Sequence, residues 1–329
     1  MKFKFLFFII VGFLFSQYDW QDNGVSVRQG IHIEWQRTGD NGSDGEMIFA
    51  WSDTRFGGRD IYAQKVDING NNLWGSEGSP VVVQPGRQED PILITDGSGG
   101  AYIIWVDYRD EPDYGDIYAQ HINSEGVISW DESGIPLTNV PGKQVAPNAA
   151  SDGIGGVFVI WNDLSVSTLG HTYGTHLTPD VNEIIAPGTG VPIISNDSDH
   201  AGVSIERAAD GSAILVWADD RNVDVSDSGI DIFTQRIDTS CNTLWSTPEE
   251  GGIPLCTAPG SQEYIKVTYY SQTVSAVVWE DKRFNENIGD IFKEVAKNKN
   301  SYGILPFENS IEGMVNQSLD NLIENNLKI

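Results

Sequence analysis

A mainly β chain, built of about five repeats of four strands and followed by a short α/β segment, is what this sequence predicts, on three observations. The first is a recurring phrase, clearest as Gly99-Gly-Ala-Tyr-Ile-Ile-Trp105-Val-Asp107-Tyr-Arg109 followed by Asp116-Ile-Tyr-Ala-Gln120. It returns at Trp51-Ser-Asp53-Thr-Arg55 with Asp60-Ile-Tyr-Ala-Gln64, and at Trp217-Ala-Asp219-Asp-Arg221 with Asp231-Ile-Phe-Thr-Gln235. Trp279-Glu-Asp281-Lys-Arg283 with Asp290-Ile-Phe292 is a further copy, and Trp161-Asn-Asp163 is a worn one. The five tryptophans stand 54, 56, 56 and 62 residues apart, a period that means a repeat architecture. The second observation is that Ile103-Ile104-Trp105 and Val277-Val278-Trp279 show no polar alternation, so both faces of the strand are buried. Third, 35 glycines and ten tryptophans suit many short strands joined by tight turns. Four-stranded units with two-sided burial, repeated at this length, are what stacked propeller blades need; the predicted fold is a β-propeller.

In chain order, residues 1–16 read as an export signal. Lys2 and Lys4 form a positive start and Phe5 to Phe15 an apolar run too short to span a bilayer comfortably, so no stable membrane anchor is expected. Residues 17–289 hold the repeats. They open at Trp20-Gln-Asp-Asn-Gly24-Val-Ser-Val27, which matches the tail of a repeat, as in Trp74 through Val82. If Gly24 to Val27 completed the last blade, around Tyr264 to Ile291, the ring would close without an exposed edge. Within a repeat, Gln144 to Ala150 starts an extended run, Asp152-Gly-Ile-Gly-Gly156 turns, and Val157 to Trp161 returns. In the copy before it, Asp116 to Ile122 is the third strand and Asn123-Ser-Glu-Gly126 turns into a fourth around Trp130. Asp67-Ile-Asn69-Gly70-Asn71 lacks the further ligands of a calcium loop and reads as a hairpin turn.

Charge and cysteine usage bound the partners. Lys and Arg total 20 against 47 Asp and Glu, a formal charge of −27, which repels nucleic acid. A neutral glycan or a protein outside the cytoplasm is the expected ligand. In an exported chain Cys241 and Cys256 could bridge neighbouring strands; two unbridged thiols are the alternative. Of the five histidines only His171 and His176 are close in sequence, without a ligand-like spacing, so neither a metal nor another cofactor is expected.

The recurring acid and guanidinium groups invite a catalytic reading, since paired carboxylates are what glycoside hydrolysis requires. Yet Asp53, Arg55 and Asp60 recur as Asp107, Arg109 and Asp116, as Asp219, Arg221 and Asp231, and as Asp281, Arg283 and Asp290. An active site is a unique constellation. A trio present in nearly every repeat is expected to tie adjacent strands through bidentate hydrogen bonds. From Trp20 to Asp290 the chain resembles secreted bacterial β-propeller repeats that carry the Gly-Gly-apolar-Trp-x-Asp-x-Arg and Asp-Ile-Tyr-Ala-Gln signature.

After Asp290-Ile-Phe292 the text changes to Lys293-Glu-Val-Ala-Lys-Asn-Lys-Asn-Ser301, and the Trp and Gly-Gly signals vanish. Then comes Tyr302-Gly-Ile-Leu-Pro306-Phe-Glu308-Asn309-Ser310-Ile-Glu312-Gly313-Met-Val-Asn-Gln-Ser-Leu319-Asp320-Asn-Leu322. Residues 290–329 thus resemble part of prephenate dehydratase, in which a strand runs into a Pro-x-Glu-Asn-Ser-x-Glu-Gly loop and a helix follows. The resemblance implies conversion of prephenate to phenylpyruvate on the route to phenylalanine, with Glu308, Asn309, Ser310 and Glu312 on the substrate pocket and Asn309 and Ser310 in contact with substrate. It also implies a cytoplasmic setting, against the secreted or periplasmic one of the signal segment. The family's glycine-rich segment and later Thr-Arg-Phe motif do not flank this stretch. Thr54-Arg55-Phe56 belongs to the first repeat and precedes the Glu-Asn-Ser loop, so no catalytic role passes to Thr54. Forty residues from such a domain cannot bury enough surface to fold alone. The expectation is therefore an exported propeller module with an inert tail, two coding sequences being joined near Asp290; the alternative is a prephenate dehydratase completed elsewhere.

Overall fold

The computed structural model describes residues 26–27, 34–42, 45–110, 113–165, 167–178, 184–223, 229–271, 274–281, 308–309 and 313–314. Four four-stranded antiparallel sheets and a two-stranded one follow one another along the chain. The first is β1 (Glu34–Asn41), β2 (Met47–Asp53), β3 (Asp60–Val66) and β4 (Ser79–Val82); the second is β5 (Gln88–Thr95), β6 (Ala101–Asp107), β7 (Asp116–Ile122) and β8 (Ile135–Pro136). The third comprises β9 (Gln144–Ser151), β10 (Val157–Asp163), β11 (His171–Leu177) and β12 (Val191–Ile194), and the fourth β13 (His200–Arg207), β14 (Ala213–Asp219), β15 (Asp231–Ile237) and β16 (Ile253–Cys256). The fifth sheet pairs β17 (Gln262–Ser271) with β18 (Val274–Asp281). Each sheet is an up-and-down meander, and β1, β5, β9, β13 and β17 pack in series, one sheet's first strand against the next. This is the β-propeller arrangement, with the first strands innermost.

Consecutive blades share a core, which is why the central strands carry apolar residues on both faces. Trp105 reaches back into the first blade among Ile48, Ala50, Ile61 and Val82, Trp161 back into the second, and Trp217 back into the third. All three rings are fully buried. Each removes roughly 150–250 Å² from water, on the order of 4–6 kcal/mol at ~25 cal/mol/Å². Each of the three covers a glycine of its own blade with positive φ, Gly134, Gly190 and Gly252 in turn, as Trp51 covers Gly78 in the first blade. A Cβ on Gly134 would stand 2.5 Å from Trp105 Cη2, and one on Gly78 2.7 Å from Trp51 Cη2.

Two expectations need correction. The fourth strand of the second blade is Ile135–Pro136, not a stretch around Trp130, which lies in the connection before it. It starts only after Gly134 has turned the chain beneath Trp105, and Pro80, Pro136, Pro192 and Pro254 then mark the outer edge, where a missing N–H costs nothing. Cys241 and Cys256 are both free thiols. Cys241 packs into the core shared with the third blade and Cys256 against the core shared with the fifth, so the fourth blade separates them. Within the dehydratase-like loop, Glu308–Asn309 and Gly313–Met314 pair as the short antiparallel strands β19 and β20; the strand expected before that loop and the helix expected after it lie outside the described residues. Ser310, Glu312, the segment after Met314, Arg283, Asp290 and the signal segment lie outside the described residues, as do the side chains of Asp281, Glu308 and Asn309. No helix among the described residues is long and apolar enough to cross a membrane.

Candidate functional site

The repeated acid and guanidinium residues gather at one end of the first, second and fourth blades, where the second strand stops and the third begins. Asp53 faces Asp60, Asp107 faces Asp116 and Asp219 faces Asp231 in register. In the first blade Trp51 Nε1 donates to Asp53 Oδ2 at 3.1 Å, Arg55 Nε donates to the same carboxylate at 2.9 Å, and Arg55 Nη1 donates to the Glu77 carbonyl at 3.0 Å. Its guanidinium lies over the Tyr62 ring, 3.5 Å from the centroid. The second blade repeats this: Trp105 Nε1 donates to Asp107 at 2.8 Å, and Arg109 donates to Asp107 and, at 2.8 Å, to the Ser133 carbonyl, over Tyr118. The fourth repeats it with Trp217, Asp219, Arg221, the Glu250 and Gly251 carbonyls and Phe233. These latches fasten the end of the central hairpin to the loop before the fourth strand; the fold occupies the carboxylates of Asp53, Asp107 and Asp219, while Arg109 Nε and Arg221 Nε are buried without a partner among the described residues.

The third member of each trio plays another part. Asp60 accepts from the Gln84 backbone N–H, Asp116 from Thr138 Oγ1 and Asp231 from Asn222 Nδ2. The latching hydrogen bonds of Arg55, Arg109 and Arg221 go to Asp53, Asp107 and Asp219 and to loop carbonyls. Burial, and the like charge of Asp53 across the hairpin, push the Asp60 carboxyl up from its ordinary value, as burial and Asp219 do for Asp231. Asp53 and Asp219 go the other way. Burial alone would raise them, but hydrogen bonds from the arginine and tryptophan hold both below the usual carboxylate range.

The third blade departs from this pattern. Ser165 stands where the arginine would be, Asp163 accepts from the Ser165 N–H at 2.8 Å, and Trp161 Nε1 is buried without a partner. Further departures cluster on the side of that blade facing the fourth. The directly opposed pairs Ser52 and Ile61, Val106 and Ile117, and Ala218 and Ile232 become Asn162 and Thr172. Thr172 Oγ1 donates to Asn162 Oδ1 at 3.1 Å. Across the boundary His200 takes the place of Gln88, Gln144 and Gln262 at the head of the first strand. Its Nε2 lies 3.1 Å from Ser198 Oγ and 3.0 Å from Asn196 Oδ1; its Nδ1 is buried without a partner, and burial pushes its pKa down.

Two residues further on, the innermost strands bulge. Asp90, Ala146 and Tyr264 hold φ of 53°, 51° and 53° there, a conformation that strains a side-chain-bearing residue, whereas the fourth blade has Gly202 at 64°. Beside that bulge lies a cavity of about 220 Å³ lined by Ala146, Pro147, Asn148, Ile160, Trp161, Asn162, Thr172, Gly202, Val203 and Lys266. Sequence reading passed over this place. Its signal was visible as the worn copy around Trp161, but it was read as decay.

Asp67 Oδ1 accepts from the N–H groups of Asn69 and Asn71, the Asx turn expected of a hairpin, and Asp238 does the same in the fourth blade. Among the described residues no group of His, Cys, Asp and Glu could hold a metal ion. His176 Nε2 meets Asp152 at 3.0 Å, a contact matched by His121 with Asp96 at 2.9 Å one blade earlier, so its partner belongs to the repeat.

Comparison with known proteins divides the chain. A family model described as prephenate dehydratase matches residues 265–329, beginning within β17 and so earlier than the composition change near Asp290. A bifunctional chorismate mutase/prephenate dehydratase of Aquifex aeolicus (strain VF5) is 48% identical over 42 residues, 13% of this chain and 12% of that relative's length. Similar solved structures include an endo-arabinase from Bacteroides thetaiotaomicron VPI-5482 (TM-score 0.39, 12% identity, 72% of this chain and 86% of that one). An α-L-arabinanase of Penicillium chrysogenum in complex with arabinobiose has a TM-score of 0.43 at 8% identity, covering 79% and 80%. A protein of unknown function from Dyadobacter fermentans DSM 18053 has a TM-score of 0.47 at 10% identity, covering 78% and 77%. The chain is a β-propeller repeat protein joined to a segment that resembles prephenate dehydratase.

Proposed function

We propose that this chain is an exported β-propeller binding module whose ligand is an extracellular glycan or protein, and that its dehydratase-like segment, about residues 290–329, is catalytically inert. The occupied latch carboxylates support this reading most. A group that is to attack a substrate or pass it a proton needs a free valence in a cleft, and Asp53, Asp107 and Asp219 spend theirs on tryptophan and arginine. The described strands that precede Glu308 belong to propeller blades and not to the parallel sheet of a dehydratase lobe, which supports inertness of the segment that carries Glu308, Asn309, Ser310 and Glu312. Prephenate added to the purified full chain is expected to yield no phenylpyruvate. Turnover that Asn309→Ala abolishes would reverse the assignment and make the chain a dehydratase.

A further inference from the structure

Repetition separates scaffold from function in this molecule. A residue that recurs at the same register in every blade is explained by the fold; one that breaks the repeat at some cost is not. Thr172 stands where three blades bury isoleucine, opposite Asn162, which stands where they hold serine, valine or alanine. Placing a hydroxyl and a carboxamide in a boundary that the second and fourth blades fill with apolar side chains, and the first with a serine and an isoleucine, forfeits packing and desolvates polar groups. The two side chains share one hydrogen bond, and among the described residues Asn162 Nδ2 makes none, which leaves a donor open to the cavity. Gly202 removes the side chain that Asp90, Ala146 and Tyr264 place at the same bulge, and so opens the cavity from the fourth blade. Three breaks in the repeat thus meet at one hole.

We propose that this cavity between the third and fourth blades is a binding site for a neutral, hydroxyl-rich ligand of about one sugar ring, held through Asn162 and Thr172. The proposal rests on the binding-module reading and gives that module its ligand class. A carboxamide and a hydroxyl both donate and accept, as vicinal hydroxyls require, and Ile160, Pro147 and Val203 give the C–H face of a ring an apolar wall. No carboxylate lines the cavity, and one cation, Lys266, does; in a chain of charge −27 that favours a neutral ligand over an anion. At about 220 Å³ the hole is below the ~300–1,000 Å³ of pockets for drug-sized ligands and suits a single ring, the rest of a chain extending into solvent.

The test is calorimetric titration of the full chain with glucose, galactose, mannose, xylose and cellobiose, and with an unrelated peptide library as a second class. The double variant Asn162→Val, Thr172→Ile copies Val106 and Ile117 of the second blade, so the fold has already accommodated it. A saccharide bound by the native chain and at least tenfold more weakly by the double variant, with an equal or higher thermal midpoint, is the expected result. Should the double variant unfold, Gly202→Tyr closes the mouth instead, copying Tyr264 at the same left-handed bulge, where a Cβ meets nothing within 4 Å. A saccharide bound equally by native chain and variants overturns the site while leaving the module standing. Peptide binding without saccharide binding overturns the ligand class, and binding of neither class overturns both readings.

Discussion

Asp219 and Asp231 face each other across one hairpin, and their surroundings send them in opposite directions. Asp219 is held below its ordinary pKa because hydrogen bonds from Arg221 and Trp217 outweigh its burial; Asp231 is raised by burial and by the charge of Asp219. A carboxylate with a depressed folded pKa lends stability above its unfolded value of 3.8 and loses it as pH falls through the folded value. A raised one does the reverse: its cost to the fold appears as pH climbs from 3.8 through the folded value and is full above it. Arg221→Ala, which leaves the buried Asp219 carboxylate without its guanidinium, is therefore expected to cost about 3 kcal/mol in urea unfolding at pH 7, the cost shrinking in acid. Asp231→Asn is expected to be neutral or stabilising at pH 7 and without effect below pH 3.8, because it removes a charge the fold opposes. Equal losses for both variants would show that the trio acts as one network. The sequence displays the three residues together and does not say which acid takes the arginine. That choice depends on the Glu250 and Gly251 carbonyls, contributed by a loop some thirty residues away.

The blade was legible to the extent that its signals repeat. Asp116–Ile122 forms the third strand with the predicted ends, and Val157 to Trp161 lies within β10, because uninterrupted apolar runs bounded by Gly-rich turns leave little choice of register. A second fastening escaped notice since its residue types change. Lys65 meets Glu46 at 2.6 Å, His121 meets Asp96, His176 meets Asp152, and Arg236 meets Asp210, each tying the third strand to the turn between the first two. Three chemically different kinds of pair do one job in four blades, so no single letter pattern marks them. The glycine under each tryptophan carries no sign in the sequence of the ring above it. The fourth strand was expected around Trp130, whereas the φ of 73° at Gly134 and the Trp105 ring above it end the connection and start β8. Gly134→Ala should lower stability by about 3 kcal/mol, strain at a left-handed residue adding to a clash with a fully buried ring. Gly97→Ala, in a turn where a Cβ meets nothing within 4 Å and φ is 75°, isolates the strain alone and should cost about 1 kcal/mol. If the two losses are equal in denaturant unfolding, the ring makes no demand on position 134.

At the scale of the whole molecule, what remains is how the series of blades ends. β1 to β17 pack in sequence, and no comparable packing joins β17 to β1 among the described residues. Ser26 supplies the clue. Its carbonyl accepts from Asn72 Nδ2 at 3.1 Å, on the connection between the third and fourth strands of the first blade. One blade later the corresponding connection receives the fourth-strand side of the blade before it: Trp74 Nε1 donates to the Ser124 carbonyl at 3.1 Å, and a Cβ on Gly126 would lie 2.9 Å from Ser79 Oγ. Ser26 thus stands toward the first blade as Ser79 stands toward the second, the place of a fourth strand from a preceding blade. Trp20 to Val27 repeats the Trp74 to Val81 spacing, and the fifth blade shows two strands among the described residues, so the early segment matches a fourth strand beyond the described part of that blade. If it closes the ring, deleting residues 20–27 strips the first blade of its neighbour and leaves the fifth incomplete. The full chain without them should then melt well below the native chain and be nicked by protease from both ends of the repeat series, since an open stack unravels at its terminal blades. An unchanged midpoint and an unchanged digestion pattern would mean that the blades form an open arc. The inner strands, with the cavity of Asn162 and Thr172 between the third and fourth blades, would then hold their spacing through neighbour contacts alone.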